Sequence, residues 1–309
     1  MLKKILNILG FQKDEVESSL ASGEVPTIPI TDEKISAGIQ PLAIAKRPNL
    51  PQLIAGCAQS VGMMRGHNED AILVYSALFA NQEGYVPVGL FIVADGMGGH
   101  KHGEVASNLA VRVVGREVIQ KIMLGFMDIH PTPPEEGIQE ILESSVMAAH
   151  RTITKESPGS GTTLTAILIL DKHMSIAHVG DSRAYSLDNQ GKLEILTRDH
   201  SLVKRMMELG HLTEQEAAIH PQRNVLYRAL GQGEPFTPDI STTALPNAGH
   251  LLICSDGLWG VVPQDEMVRL IRSTSSPDLA CQLLIDAANK AGGPDNISAI
   301  LVQLPIFSD

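Results

Sequence analysis

The sequence predicts an α+β sandwich with its helices on the outside. Short apolar runs recur between turn residues through most of the chain, as in Leu90-Phe91-Ile92-Val93-Ala94, Ile176-Ala177-His178-Val179 and Leu251-Leu252-Ile253-Cys254. Such runs mark buried strands. The helical stretches follow one another in pairs instead of alternating with strands, which argues against βαβ units and for helix pairs packed on sheets. With 309 residues and 43% hydrophobic composition, the chain can form one large domain and an appendage.

Taken in order, Leu2, Ile5, Leu6 and Leu9 recur at helical spacing, but an isolated helix this short is marginal in water. Two readings stand for residues 1–13: a terminal helix packed on its own domain, or a weak contact with a membrane surface or a partner. Residues 14 to 51 hold Pro26, Pro29, Pro41, Pro48 and Pro51 among Ser, Glu, Asp and Gly without a sustained period, as a tether does. Residues 1–51 are therefore expected to form an arm and 52–305 the folded domain. Within the domain, a helix is expected from Gly103 to Met123, with Val105, Leu109, Val113, Val114, Val118 and Ile122 as its apolar face, and a second from Glu135 to Lys155. Strands follow at Thr162 to Leu170, Met174 to Val179, Ala184 to Leu187 and Lys192 to Leu196, the last two joined by the turn Asp188-Asn189-Gln190-Gly191. Residues 199–238 are rich in charge, hold two short helical pieces and read as an inserted surface segment. Strands return at Ile240 to Ala244 and His250 to Cys254. Helices run from Gln264 to Ile271 and Pro277 to Ala291, and a closing strand ends at Leu304.

Composition narrows the function. The 24 basic and 35 acidic residues give a formal charge of -11, without a basic stripe, which argues against a nucleic-acid partner. The longest apolar stretch, Val86 to Ala94, contains Pro87 and Gly89 and is about half of the ~20 residues that a spanning helix needs, so no transmembrane segment is expected. Cys57, Cys254 and Cys281 are odd in number and lack C-x-x-C spacing, so neither a disulfide framework nor a zinc knuckle is indicated. The basic and apolar start, Met1 to Leu9, ends too early at Lys13-Asp14-Glu15 for a signal peptide. A cytoplasmic protein is expected.

The chemistry sits at the strand ends. Asp95, Asp181 and Asp256 each follow an apolar run, Asp295 precedes another, and Glu69-Asp70 leads into Ala71-Ile72-Leu73-Val74-Tyr75. Any one of these is a good turn sequence by itself. Together they place carboxylates where several strands leave one core, and crowded carboxylates need cations. Hard oxygen ligands with almost no Cys or His among them favour magnesium or manganese over zinc. Gly96, Gly98 and Gly99 would let backbone approach a ligand closely.

On these residues the sequence resembles the PPM metal-dependent protein phosphatases, also called protein phosphatase 2C-like, in their bacterial form. The resemblance runs from about Leu53 to Leu304. It is carried by Arg65-Gly66-His67-Asn68-Glu69-Asp70, Val93-Ala94-Asp95-Gly96-Met97-Gly98-Gly99-His100, Gly161-Thr162-Thr163, Val179-Gly180-Asp181-Ser182-Arg183, Asp199-His200-Ser201-Leu202-Val203, His220-Pro221-Gln222-Arg223-Asn224-Val225-Leu226, Ser255-Asp256-Gly257-Leu258-Trp259 and Gly293-Pro294-Asp295-Asn296-Ile297-Ser298. It implies a four-layer αββα sandwich of two antiparallel sheets flanked by helix pairs, with a flap at residues 199–238. It also implies a centre of two manganese or magnesium ions. Asp95 would bridge them, the Gly96 carbonyl would bind one, and Asp256 and Asp295 would hold the other. Glu69 would act through a water, Asp70 would support that shell, and Asp181 with Asp256 would hold a weaker third ion. The expected activity is dephosphorylation of serine and threonine in proteins, with phosphoproteins and a cognate serine/threonine kinase as partners.

That activity fits the residues. Paired divalent ions make hydroxide available near neutral pH and clamp phosphate oxygens, and Arg65 offers a planar fork for the remaining ones. One position departs from the eukaryotic members, which usually carry His after the Asp-Gly where this chain has Met97. Methionine has no proton to give the leaving alcohol, so water on the ion held by Asp181, His100 or His102 are the alternatives. Asn296-Ile297-Ser298 matches a glycosylation sequon but lies inside a metal motif. Trp259 is expected as core support for its turn. Two other functions stay open: a phosphatase-fold regulatory protein, which would be expected to lose metal carboxylates that this chain keeps, and a hydrolase of small phosphate esters.

Overall fold

The computed structural model describes residues 51–81, 84–98, 103–127 and 136–306; the expected terminal helix and all but the last residue of the arm lie outside them. Two antiparallel sheets face each other. One has the order β1 (Ile54–Ser60), β11 (Ile297–Gln303), β10 (His250–Cys254), β7 (Arg183–Leu187) and β8 (Leu193–Ile195). The other runs β2 (Asp70–Asn81), β3 (Gly84–Met97), β5 (Leu164–Leu170), β6 (His173–Val179) and β9 (Asp239–Ala244), with β4 (Gly161–Thr162) paired to the end of β3.

Strand alternation makes three cores. Along β3, Val86, Val88, Leu90, Ile92 and Ala94 point to one face and Phe91 and Val93 to the other, the period of two that a pleated strand imposes. The first face is covered by α1 (Gly103–Val118) and α2 (Ile138–Glu156). The second meets Leu251 and Ile253 of β10 and Ile300 and Val302 of β11 between the sheets. The outer face of that other sheet carries Leu252, Cys254, Ala299 and Leu301. Against it lie α6 (Gln264–Arg272) and α7 (Pro277–Lys290), which follow the short helices α3 (Leu202–Glu208), α4 (Glu214–Ala218) and α5 (Asp256–Trp259). The result is the expected αββα order of layers. Cys57, Cys254 and Cys281 are free thiols.

The structure differs from expectation in particulars that have physical reasons. Helix α1 buries Ala106, Ala110, Val111, Val114 and Val118, while Val105 is exposed and Leu109 and Val113 are only partly covered. Small side chains let the helix lie close on the sheet, and the larger ones flank that contact. The helix continues through a π-helical turn, Ile119–Met123, into Leu124–Met127. The strand expected from Thr162 to Leu170 breaks at Thr163, whose N–H donates to the Asp95 carbonyl (2.9 Å). Pro87 is tolerated in a central strand because β5 pairs with β3 only from Val88 onward, so no ladder bond is lost on that side.

Phe91 is fully buried between the sheets. Its replacement by Ala should destabilise the fold by about 3–5 kcal/mol, read as a lower urea midpoint with an unchanged slope. A loss below ~1 kcal/mol would show that the sheets collapse onto the gap.

Candidate metal centre

Both sheets deliver carboxylates to the same edge of the sandwich. Asp70 opens β2 and is the register partner of Asp95 near the end of β3. Asp181 follows β6 in the same sheet, while Asp256 begins α5 directly after β10 and Asp295 precedes β11 in the other. Asp95, Asp181, Asp256 and Asp295 line a cavity of about 550 Å³ whose walls also include Arg65, Glu69 and Gly96. Asp70 does not line it and lies buried behind, 7% exposed. Thus the sequence-predicted site residues come together, with Asp70 as a supporting group.

Polar clamps hold these strand ends. The Asp95 N–H donates to Thr163 Oγ1 (2.9 Å), and Thr162 Oγ1 donates to the Asp95 carbonyl (2.9 Å). Asp70 Oδ2 accepts from Ser298 Oγ (2.6 Å) and Ser255 Oγ (2.9 Å), so β2 is tied to β10 and β11 across the sandwich. Asn296 accepts from the Glu69 N–H (2.8 Å) and donates to the carbonyls of Val61 (2.8 Å) and His67 (2.9 Å). Gly96 has a reason other than ligand approach: a Cβ there would overlap the carbonyls of Gly103 and Glu69. Trp259 is not plain core support, since its indole N–H donates to the Asp181 carbonyl (2.9 Å). The Arg183 guanidinium stacks 3.5 Å above that ring while bonding Asp199 at 3.0 and 2.7 Å.

Charge is concentrated here. Burial, reinforced by the neighbouring carboxylates, pushes Asp70 up to about 7 and Asp256 up to about 6, and holds Asp95 and Asp181 well above the usual carboxylate range. Among the described residues, Asp70 Oδ1 and Asp256 Oδ1 are buried oxygens with no hydrogen-bond partner. Arg65 supplies one positive group, donating to Asp295 Oδ2 (2.7 Å) while remaining half exposed. Unpaired buried oxygens amid mutually repelling anions fit divalent cations, which reverse such shifts. No group of three or more His, Cys, Asp or Glu side chains among the described residues closes on a single point as an ion cage. Oxygen donors of this kind are those that magnesium and manganese take, with several waters kept.

The segment 199–238, expected as a flap, reaches the cavity. It carries α3 and α4, and its Asn224 and Leu226 line the cavity. Its root is fastened to the Asp181 turn: the His200 N–H donates to the Gly180 carbonyl (2.7 Å), and the Gly180 N–H donates to His200 Nδ1 (3.1 Å). His100 and His102 lie outside the described residues, whereas His67, to which the sequence reading assigned no role, lines the cavity with its ring 3.2 Å from Glu69 Oε1. The clamping roles of Thr163, Ser255, Ser298 and Asn296 were also missed, although the last three stand inside or beside a carboxylate motif.

Comparison with known proteins gives one consistent result. The family model described as Protein phosphatase 2C matches residues 57–297. A "Serine/threonine phosphatase stp" from Listeria monocytogenes is 37% identical over 242 residues, covering 78% of this chain and 92% of the relative. The crystal structure of the Mycobacterium tuberculosis serine/threonine phosphatase PstP/Ppp superposes with a TM-score of 0.66 at 30% identity, over 82% of this chain and 99% of that one. A catalytic domain of PstP solved in complex with two manganese ions matches with a TM-score of 0.65 at 28% identity, over the same shares.

Asp256→Asn separates a metal ligand from a structural acid. After EDTA treatment at pH 8 the variant should melt at or above the wild-type temperature, because it removes one of several repelling buried anions. Manganese at about 100 times its Kd should then stabilise the wild type by ~2.7 kcal/mol and the variant by less than half of that. A variant that melts well below wild type in EDTA and keeps the full manganese shift would make Asp256 a structural residue.

Proposed function

The chain belongs to the protein phosphatase 2C family of metal-dependent serine/threonine phosphatases, and we propose that it removes phosphate from phosphoserine and phosphothreonine in proteins through the carboxylates gathered at its sheet ends. The convergence of Asp95, Asp181, Asp256 and Asp295 from both sheets on one cavity carries this reading. Divalent manganese or magnesium bound there supplies a nucleophile from water at neutral pH and offsets the charge of the phosphate.

The chain's own residues take the following roles in this reading. Asp95 would be shared between two core ions, the Gly96 carbonyl would serve one of them, and Asp256 and Asp295 would hold the other. Glu69 orients the solvent shell, and Asp70, anchored by Ser255 and Ser298, keeps Asp95 in register. Arg65 uses one arm on Asp295, and the rest of its donor fork is available to a phosphate. Met97 lines the cavity without a proton to give, and Asp181, with Asp256, would hold a third, weaker ion whose water could supply one to the leaving alcohol.

We also place residues 1–51 as an arm on a catalytic domain of residues 52–305, with residues 1–13 as a weak membrane or partner contact. A cognate serine/threonine kinase is the natural opposing partner. The free thiols agree with a cytoplasmic setting, and among the described residues no helix is long and apolar enough to cross a membrane.

Phosphopeptide hydrolysis should be abolished by EDTA and restored by manganese. Asp95→Asn and Asp256→Asn should each lower it more than ~100-fold at saturating manganese. Activity within a few-fold of wild type in either variant would sink the metal assignment.

Arg65→Ala tests the phosphate contact. Loss of a charge-assisted bond made equally in the bound and transition states should raise KM about tenfold and leave kcat nearly unchanged. A fallen kcat at constant KM would place the arginine in the transition state alone.

A further inference from the structure

Exposed apolar side chains stand on two segments that each reach the cavity. On one side, Val61, Met63 and Met64 precede Arg65, with Met63 69% and Met64 75% exposed. On the other, Val225 and Tyr227 of the flap are exposed on either side of Leu226. Met64 and Leu226 both line the cavity that holds the carboxylates, so the two apolar segments bound one opening.

Neither segment is a loose loop. The N–H groups of Met63 and Met64 both donate to the Gly293 carbonyl (2.8 and 3.2 Å), and Asn296 ties the Val61 carbonyl to the same turn. Gly62, at φ +81°, lies so close to the Asp295 carbonyl that a Cβ would overlap it. Across the opening, the Leu202 N–H donates to the Val225 carbonyl (2.8 Å), the Tyr227 N–H donates to the His200 carbonyl (2.9 Å), and Leu226 bridges Ser201. Water-exposed methionines held in place by their backbones next to a reaction site present pre-ordered apolar surface whose side chains can still adapt in shape.

We propose that Met64 and Leu226 form an apolar subsite for the residues that flank the phosphorylated serine or threonine, so that the enzyme selects substrates with an apolar side chain beside the phosphoresidue. The inference rests on the phosphatase reading and adds its substrate class. The subsite is continuous with the catalytic cavity, so an occupant must reach both at once, and a peptide chain carrying its phosphate into the cavity does so. A glycine at the flanking position leaves the methionine in water. A glutamate there would have to bury its carboxylate against apolar side chains without a partner, which costs desolvation.

The test is a matrix of enzymes against phosphothreonine peptides that differ only in having Leu, Gly or Glu on both sides of the phosphothreonine, with p-nitrophenyl phosphate, which has no flanking residues, as a further substrate. Wild type, Met64→Ser and Leu226→Ser are assayed at saturating manganese after circular dichroism confirms that each is folded. In wild type, kcat/KM should be about tenfold higher for the Leu-flanked peptide than for the Gly-flanked one, from burial of the apolar side chain, and lowest for the Glu-flanked one. The Leu-to-Gly ratio should fall towards one in both variants. A wild-type ratio near one, or a preference that survives both substitutions, while p-nitrophenyl phosphate is hydrolysed, overturns the subsite and leaves the phosphatase reading standing. Failure of the wild type to hydrolyse any of these substrates with manganese overturns both.

Discussion

Mutual repulsion among buried carboxylates is the constraint on which this molecule turns. Asp70 and Asp181 are buried and Asp95 and Asp256 partly so at one edge of the sandwich, and burial together with the neighbouring carboxylates raises the cost of ionising each of them. Arg65 hydrogen-bonds Asp295 and offsets part of this charge. Such a cluster is costly unless cations are shared among its members. An edge built in this way is a poor device for stability and a good one for holding divalent metal against an anionic substrate.

The architecture serves that edge. Two sheets are needed because Asp95 and Asp181 come from one and Asp256 and Asp295 from the other. The packed layer between them, with Phe91, Ile167, Ile253 and Ile300, fixes the distance between the two sets. Side-chain bonds then align the strand ends: Ser255 and Ser298 on Asp70, Asn296 on three backbone groups, and Thr163 on Asp95. The flap joins the same frame through His200 and the Arg183–Asp199 pair, and Trp259 links that pair to the Asp181 backbone. Substrate surface and metal surface therefore share one rigid support.

Much of this was legible in the sequence, for physical reasons. Strands such as β3, β5 and β10 are buried on both faces, so they read as continuous apolar runs whose ends can be placed closely, and the carboxylates stood at those ends. Helix pairs were visible from their period. The buried face of α1 was misread because periodicity weighs large apolar residues, whereas close packing on a sheet selected Ala106 and Ala110. The clamps were not legible: Asn296 and Asn68 look alike in sequence, and only the approach of segments more than two hundred residues apart makes one of them a three-way tie. Trp259 looked like core because its indole N–H finds its acceptor 78 positions away. His67 was given no role, since its place in the cavity wall depends on the fold.

The central claim is that the carboxylate edge is a site for two core ions, and counting them is its most direct test. Titration of EDTA-treated protein with manganese, followed by the electron paramagnetic resonance signal of the free ion, should show about two tightly held ions per chain, with a further one bound more weakly. No uptake, or uptake unaffected when Asp95 and Asp256 are both changed to Asn, would contradict it.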